Sequence, residues 1–361
     1  MFTKNHTQIT KGIAVILLYI HHLFYNYPDW QDYNVNFYPF SLNNIFTLAH
    51  LCKVCVGLFA FLSAYGITVS TNNAISGPGS DADKIIRKQT VRRYINLLIG
   101  FWPIFILAQL FILLSGQGLG TYFIDGKATA SLAFLIDFLG LATAFNTPTI
   151  NVTWWYMSFA FILILLMPIL QRWYAKDKVI LVIIAVFIFR LSIIPLGIIS
   201  PFFFTVVLGI WCANENVLLK IQRYGADKLP VKILKPCIAF FVIIGLFYTR
   251  MKLPALADIW DGLISLTITY LCFDGLSKIP VISSALSFLG KHSMNMFLTH
   301  TFIYYYFFEN FIYSFNHFLL IFLSLVCITL ALSVVIEMLK EISRYNYITQ
   351  KLANHIIKYI P

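Results

Sequence analysis

Apolar residues run in long blocks along this chain, near positions 9–27, 45–71, 95–115, 152–170, 179–199, 201–217, 236–250, 261–277, 293–308 and 317–338, and charged residues cluster in the gaps between them. Most blocks are long enough to cross a hydrocarbon core of about 30 Å as α-helices, and the shortest need help from flanking aromatic residues. The pattern predicts an all-α, polytopic membrane protein with about ten transmembrane helices and both termini on one side. A further apolar stretch, "ATASLAFLIDFLGLATAF" at 128–145, could pass for one more span.

Lys and Arg decide the orientation, because cytoplasmic loops carry an excess of them. With the N-terminus in the cytoplasm, the inner side holds Lys4, Lys11, the run "KIIRKQTVRR" and the basic loops around 172–178 and 220–235. Outside lie only Lys127, Arg250 and Lys252, while Lys53 and Arg190 fall within helices. If 128–145 crossed the membrane, every later basic loop would move outside, so this stretch is expected to be a surface or re-entrant helix on the outer side. The first block could be misread as a signal peptide, but no small-residue cleavage pattern follows in "FYNYPDWQDYN", and a retained helix is expected. No repeat, low-complexity tract or long linker divides the chain. One membrane domain is expected over 1–361, with a helical bundle to 340 and a cytoplasmic tail over 341–361.

Composition agrees with a membrane protein. The chain is 59% hydrophobic and 11% charged, with 34 Phe and 20 Tyr, more apolar surface than a soluble domain of this size could hide. The net charge of +11 does not point to nucleic acid, since topology and contact with anionic lipid account for the basic loops. The cysteines, including the pair in "CKVC" at 52–55, sit in or beside apolar blocks and read as small apolar fillers, so neither a metal site nor a disulfide framework is expected.

The opening block, "TKGIAVILLYIHHLF" at 10–24, is unusual for a membrane helix. Ionisable residues there are costly and usually face a protein interior or a water-filled cavity. At about 100° and 1.5 Å per residue, Lys11 and His22 fall within about 20° of one face and about 16 Å apart. One stripe therefore joins the basic surface to mid-membrane, with His21 turned about 80° away from it.

These residues carry a resemblance. The spacing of Lys11 and His22, a basic residue and a histidine separated by ten positions, is similar to the first-helix motif of the acyltransferase 3 family. "CVGLFAFLSAYGI" (55–67) resembles that family's second helix, and "RRYINLLIGFWPIF" (92–105) its basic stretch entering the third. "NVTWWYMSFAFILILLMPIL" (151–170), "LSFLGKHSMNMFLTH" (286–300) and "VVIEMLKEI" (334–342) resemble three later family segments in the same order. Ala64 stands where the pattern has glycine and Phe297 where it has tyrosine.

The resemblance implies transfer of an acyl group, usually acetyl from acetyl-CoA, to a hydroxyl of a cell-surface or lipid-linked glycan at a bacterial cytoplasmic membrane. The residues suit such chemistry. Lys88, Arg92 and Arg93 would give a phosphate-rich donor a basic mouth, with arginine able to grip bidentately, and the pantetheine arm could lie along the Lys11 stripe. His22 is the expected base, since an uncharged imidazole can take an acceptor hydroxyl's proton at neutral pH. Glu337 is the acidic partner that the resemblance implies, although the topology puts it well below His22.

Trp154, Trp155 and Tyr156 suit either stacking on a sugar or an interfacial aromatic belt, and Asn151 with Asn146 could add hydroxyl recognition. Ser63, Tyr65, Ser293 and His300 are further polar candidates on the second and ninth blocks. The rival reading, a transporter or flippase for lipid-linked saccharides, would predict internal repeats and broken helices at matching positions. The sequence displays neither.

Overall fold

In a computed structural model of the protein, the described residues are 2–25, 32–76, 81–115, 120–122, 127–191, 197–225 and 228–360. The side chains of Lys127 and Arg190, and most of the "FYNYPDWQDYN" loop, lie outside them.

The apolar blocks fold as helices throughout: α1 (Lys4–Phe24), α2 (Leu42–Leu51), α3 (Cys55–Ile75), α4 (Ala82–Leu114), α5 (Lys127–Phe138), α6 (Trp155–Lys176), α7 (Lys178–Leu191) and α8 (Phe203–Asn214). They continue as α9 (Val217–Arg223), α10 (Leu229–Lys252), α11 (Ala257–Asp274), α12 (Pro280–Thr301), α13 (Glu309–Tyr313), α14 (Phe318–Ile342) and α15 (Tyr345–Lys358). In hydrocarbon every backbone polar group must be bonded within the protein, which leaves helices as the outcome for blocks of this length.

Among the described residues, six helical rods are long and apolar enough to cross a membrane, and the bent pair Ser200–Asn214 and Val217–Arg223, kinked by 57°, would make a seventh. The expectation of ten is therefore met only in part. The physical reason lies in α1 and α12, which have 21 and 22 residues but carry too many polar side chains to pass by hydropathy alone. They face each other in the middle of the bundle instead of lipid. By contrast α10 exposes almost its whole apolar surface, as a helix at the lipid boundary should.

α4 is 33 residues long, about 50 Å at 1.5 Å per residue, so it overshoots a hydrocarbon core and its basic first half projects beyond it. Asp81 caps it by accepting from the Lys84 amide at 3.0 Å. α5, with 12 residues, reaches only about 18 Å and is too short to span. Both ends of the chain meet the same end of the bundle: Phe2 packs on Tyr65 of α3 and Phe273 of α11, while α15 lies along the basic half of α4.

Candidate active site

α1 and α12 approach so closely that a side chain on either contact glycine would strike backbone. A Cβ on Gly12 would lie 2.2 Å from the Leu286 carbonyl oxygen, and one on Gly290 only 1.8 Å from that of Gln8. Small residues at such crossings let backbones pack without intervening side chains. Above this crossing the Tyr19 hydroxyl is anchored at the Met296 carbonyl (3.2 Å) and at Thr329 of α14 (2.8 Å), which fixes the rotation of α1 against α12 and α14.

That rotation brings His22 against His300, with ring centroids 5.0 Å apart. His300 is fully buried, stacked between Tyr19 at 5.6 Å and Tyr304 at 5.9 Å, with Nδ1 2.5 Å from the Phe297 carbonyl. After Thr301 the helix widens into a π-helical segment, Phe302–Phe307, a departure often found at functional sites. It carries Tyr304, whose hydroxyl lies 3.5 Å from His22 Nδ1. His22 Nε2 makes no hydrogen bond with the described residues. His21 points elsewhere, as its place on the helix predicts: Nδ1 lies 2.8 Å from the Ala49 carbonyl of α2 and its ring stacks on Tyr25.

From the far side of His300 a line of small polar groups continues. The Thr301 and Thr153 hydroxyls are 2.8 Å apart, and Asn151 Oδ1 accepts from both the Thr153 hydroxyl (2.8 Å) and its amide (3.0 Å). Asn151 is fully buried, and its Nδ2 has no hydrogen-bond partner among the described residues.

On the other side lies a cavity of about 390 Å³ whose walls include Lys11, Ser63, Arg93, Tyr156 and Ser293. Five candidates from five different helices thus meet around one space. Tyr156 and Ser63 share this wall. Arg93 is braced against α3 and its own helix, Nη2 donating to the Ile67 carbonyl (3.3 Å), Thr71 (3.3 Å) and Gln89 (2.7 Å). Lys11 makes no hydrogen bond or ion pair with the described residues, so its ammonium is available to the cavity. Phe297 is shared, lining the cavity and packing 5.8 Å from His300.

Other candidates go elsewhere. Arg92, the neighbour of Arg93, is exposed and donates to Asn354 of α15 at 3.4 Å, and Lys88 is not part of the cavity wall. Tyr65 faces a separate cleft beside Phe2. Glu337 does not reach His22 or Lys11: one oxygen accepts from Asn295 and from Lys340, both at 2.8 Å, beside His292 and Ser333 in the seam between α12 and α14. Trp154 is buried and donates to the Leu298 carbonyl at 3.1 Å, and the half-buried Trp155 stacks on Phe202. Among the described residues no group of three His, Cys, Asp or Glu side chains is arranged as metal ligands would be.

A family model described as an acyltransferase domain matches residues 8–338, nearly the whole chain. The protein belongs to the acyltransferase 3 family. No curated protein and no solved structure matches it. The family stretch begins within α1 and ends within α14, so it takes in both the His22–His300 pair and the cavity, while α15 lies outside it.

Tyr304, Thr301 and Thr153 were not singled out in the sequence. Tyr304 lies four residues after His300, the spacing that puts two residues of a helix side by side, and an apolar run that holds a histidine and then a tyrosine at that spacing is a usable signal. Thr153 and Thr301 gave none, because threonine in membrane helices usually bonds its own backbone.

Proposed function

We propose that this acyltransferase moves an acyl group, acetyl in the simplest case, from cytoplasmic acyl-CoA to a hydroxyl of a cell-surface or lipid-linked glycan, with His22 as the base. The observation that supports this most is the adjacency of two unlike environments. The cavity offers two cations, Lys11 and Arg93, and a tyrosine–serine pair, while the imidazole pair sits immediately beyond Phe297. A cationic cavity suits a phosphorylated thioester, and an imidazole with one free nitrogen suits an alcohol. The excess of Lys and Arg at the end shared by both termini supports a donor side that faces the cytoplasm, and the proposed setting is a bacterial cytoplasmic membrane.

In the simplest chemistry the acceptor oxygen attacks the thioester carbonyl while its proton passes to His22 Nε2. The carbon–sulfur bond then breaks, and the thiolate takes the proton back and leaves as CoA thiol. Tyr304, within reach of His22 Nδ1, and the ring of His300 hold the imidazole in its orientation. The buried threonine–asparagine line, whose Asn151 amide has no hydrogen-bond partner among the described residues, favours acceptor hydroxyls on the opposite side from the cavity.

The test is transfer of labelled acetyl from acetyl-CoA to glycan in membranes. His22→Ala should abolish it while leaving the protein inserted, folded and able to bind acyl-CoA, since a general base contributes about 10²- to 10⁴-fold to rate. Full turnover in that variant would return His22 to a packing role.

A further inference from the structure

The donor reading leaves a question of size, because an acyl-CoA carries a nucleotide and a long arm, and a cavity of about 390 Å³ suits the thioester end rather than the whole molecule. A second cleft, of about 480 Å³, opens at the terminal end of the bundle between the start of α1 and the last turns of α3, and its walls include Lys4, Thr7, Gly66, Ser70 and Asn73. Helix geometry connects it with the first. Lys4 and Thr7 share a face of α1 with Lys11, about 60° wide and about 10 Å long. On α3, Phe59, Ser63, Gly66, Ser70 and Asn73 form a stripe about 80° wide and about 21 Å long. The upper members of both stripes line the inner cavity and the lower members line the outer cleft.

Gly66 stands at the join, and a Cβ added there would meet no atom within 4 Å. Most of the helical glycines here with contacts press on backbone or rings; this one borders open space in the seam. α4 closes the flank, with Gln89 donating to the Ser70 carbonyl at 3.4 Å and Arg93 to that of Ile67.

We infer that the seam between α1 and α3, from Asn73 and Lys4 up to Ser63 and Lys11, is the binding track of the acyl-CoA, with its phosphorylated nucleotide end in the cleft at Lys4, Ser70 and Asn73. This rests on the donor reading proposed for the inner cavity. It moves the nucleotide end away from Arg92, whose side chain is engaged with α15. Lys4 is exposed and makes no ion pair with the described residues, and the Ser70 and Asn73 side chains supply neutral polar groups, a set that fits a phosphorylated ribose or a purine edge.

The experiment is Gly66→Leu in the full-length protein. The new side chain enters open space on a helix and gains helix propensity, so folding is preserved, checked by thermal unfolding in detergent. KM for acetyl-CoA should rise at least tenfold with little change in kcat. Transfer from S-acetyl-N-acetylcysteamine, which has the thioester but no nucleotide, should be unchanged. Gly245→Leu on α10, also with no atom within 4 Å of the added Cβ, is the matched control and should behave as wild type. An unchanged KM and affinity for acetyl-CoA in Gly66→Leu would overturn the track, as would an equal loss with the short thioester. Wild-type protein that binds no acyl-CoA would instead overturn the donor reading itself, and the track with it.

Discussion

The tight crossing of α1 and α12 at Gly290 makes a demanding test of the site's geometry. Gly290→Ala adds one methyl group on α12, and that atom would stand 1.8 Å from the Gln8 carbonyl oxygen of α1. Cβ atoms essentially never come within 3.0 Å of such a neighbour, so the two helices must part by about 1.2 Å. Neither partner can yield by rotating a side chain, because the clash is with backbone. Overpacking of this kind costs about 1 to 3 kcal/mol, and the unfolding temperature in detergent should fall. The crossing is also what holds His22 against His300 and Tyr304, about three to four turns further up. Misplacing a catalytic group by about 1 Å can cost about 10²-fold in rate, and acetyl transfer in membranes should drop by that order even at temperatures where the variant stays folded. Gly245→Ala, facing open space on α10, should change neither quantity. If Gly290→Ala kept both its unfolding temperature and its transfer rate, the close crossing would not position the site.

Arg93→Ala should weaken acyl-CoA binding by about 1.5 to 3 kcal/mol, the scale of a charge-assisted hydrogen bond, measured on purified protein by titration; Arg92→Ala, whose side chain is turned to α15, should have little direct effect, and equal losses in both would return these arginines to topology signals. Lys11→Ala should act mainly on donor affinity and Lys11→Arg should keep partial activity, whereas a pure kcat loss in Lys11→Ala would move Lys11 from donor holding to chemistry. Phe297→Ala joins the cavity to the histidine pair and should let longer acyl chains be transferred, read by comparing acetyl- and butyryl-CoA; unchanged chain-length preference would show that Phe297 is not the divider. Reporter tags at the N-terminus, in the 215–235 loop and at the C-terminus should all report cytoplasmic and a tag at 120–127 outside, and an external 215–235 loop would break the orientation drawn from Lys and Arg.

The helical blocks were legible because a bilayer leaves the backbone little choice, and a short helix in the 128–145 stretch, observed over Lys127–Phe138, because the Lys and Arg pattern argues against one more crossing. Hydropathy fails at α1 and α12, where polar side chains are buried against protein instead of lipid, and those two helices carry Lys11, His22, Ser293 and His300. The Lys11–His22 stripe was readable from helix period alone, since both residues sit on one unbroken helix. Which neighbour each polar group meets was not, because that depends on how separate helices rotate against one another. Arg92 and Arg93 are adjacent in sequence, yet about 100° of helix turn sends one to α15 and the other to the cavity. Glu337, the acidic partner that the resemblance implies, accepts from Asn295 and Lys340, neighbours that its place in the sequence does not reveal. Trp154 and Trp155 read as sugar platforms or belt residues, and the sequence does not reveal that they meet Leu298 and Phe202.

The last helix has a practical consequence for anyone preparing this protein. α15 turns back at Arg344, which adopts a left-handed φ of 54°, and fastens to α4 through Tyr345 at the Ile99 carbonyl, Gln350 at Asn96 and Asn354 at Arg92. Asn96 also lines the inner cavity. A truncation after residue 342, or a bulky affinity tag fused so as to pull α15 away, would unfasten the helix that presents Arg93 while leaving the whole stretch that matches the family in place. Such a preparation would insert and purify normally and still give a misleadingly weak enzyme, and placing the tag at the other terminus would crowd Phe2 and Lys4.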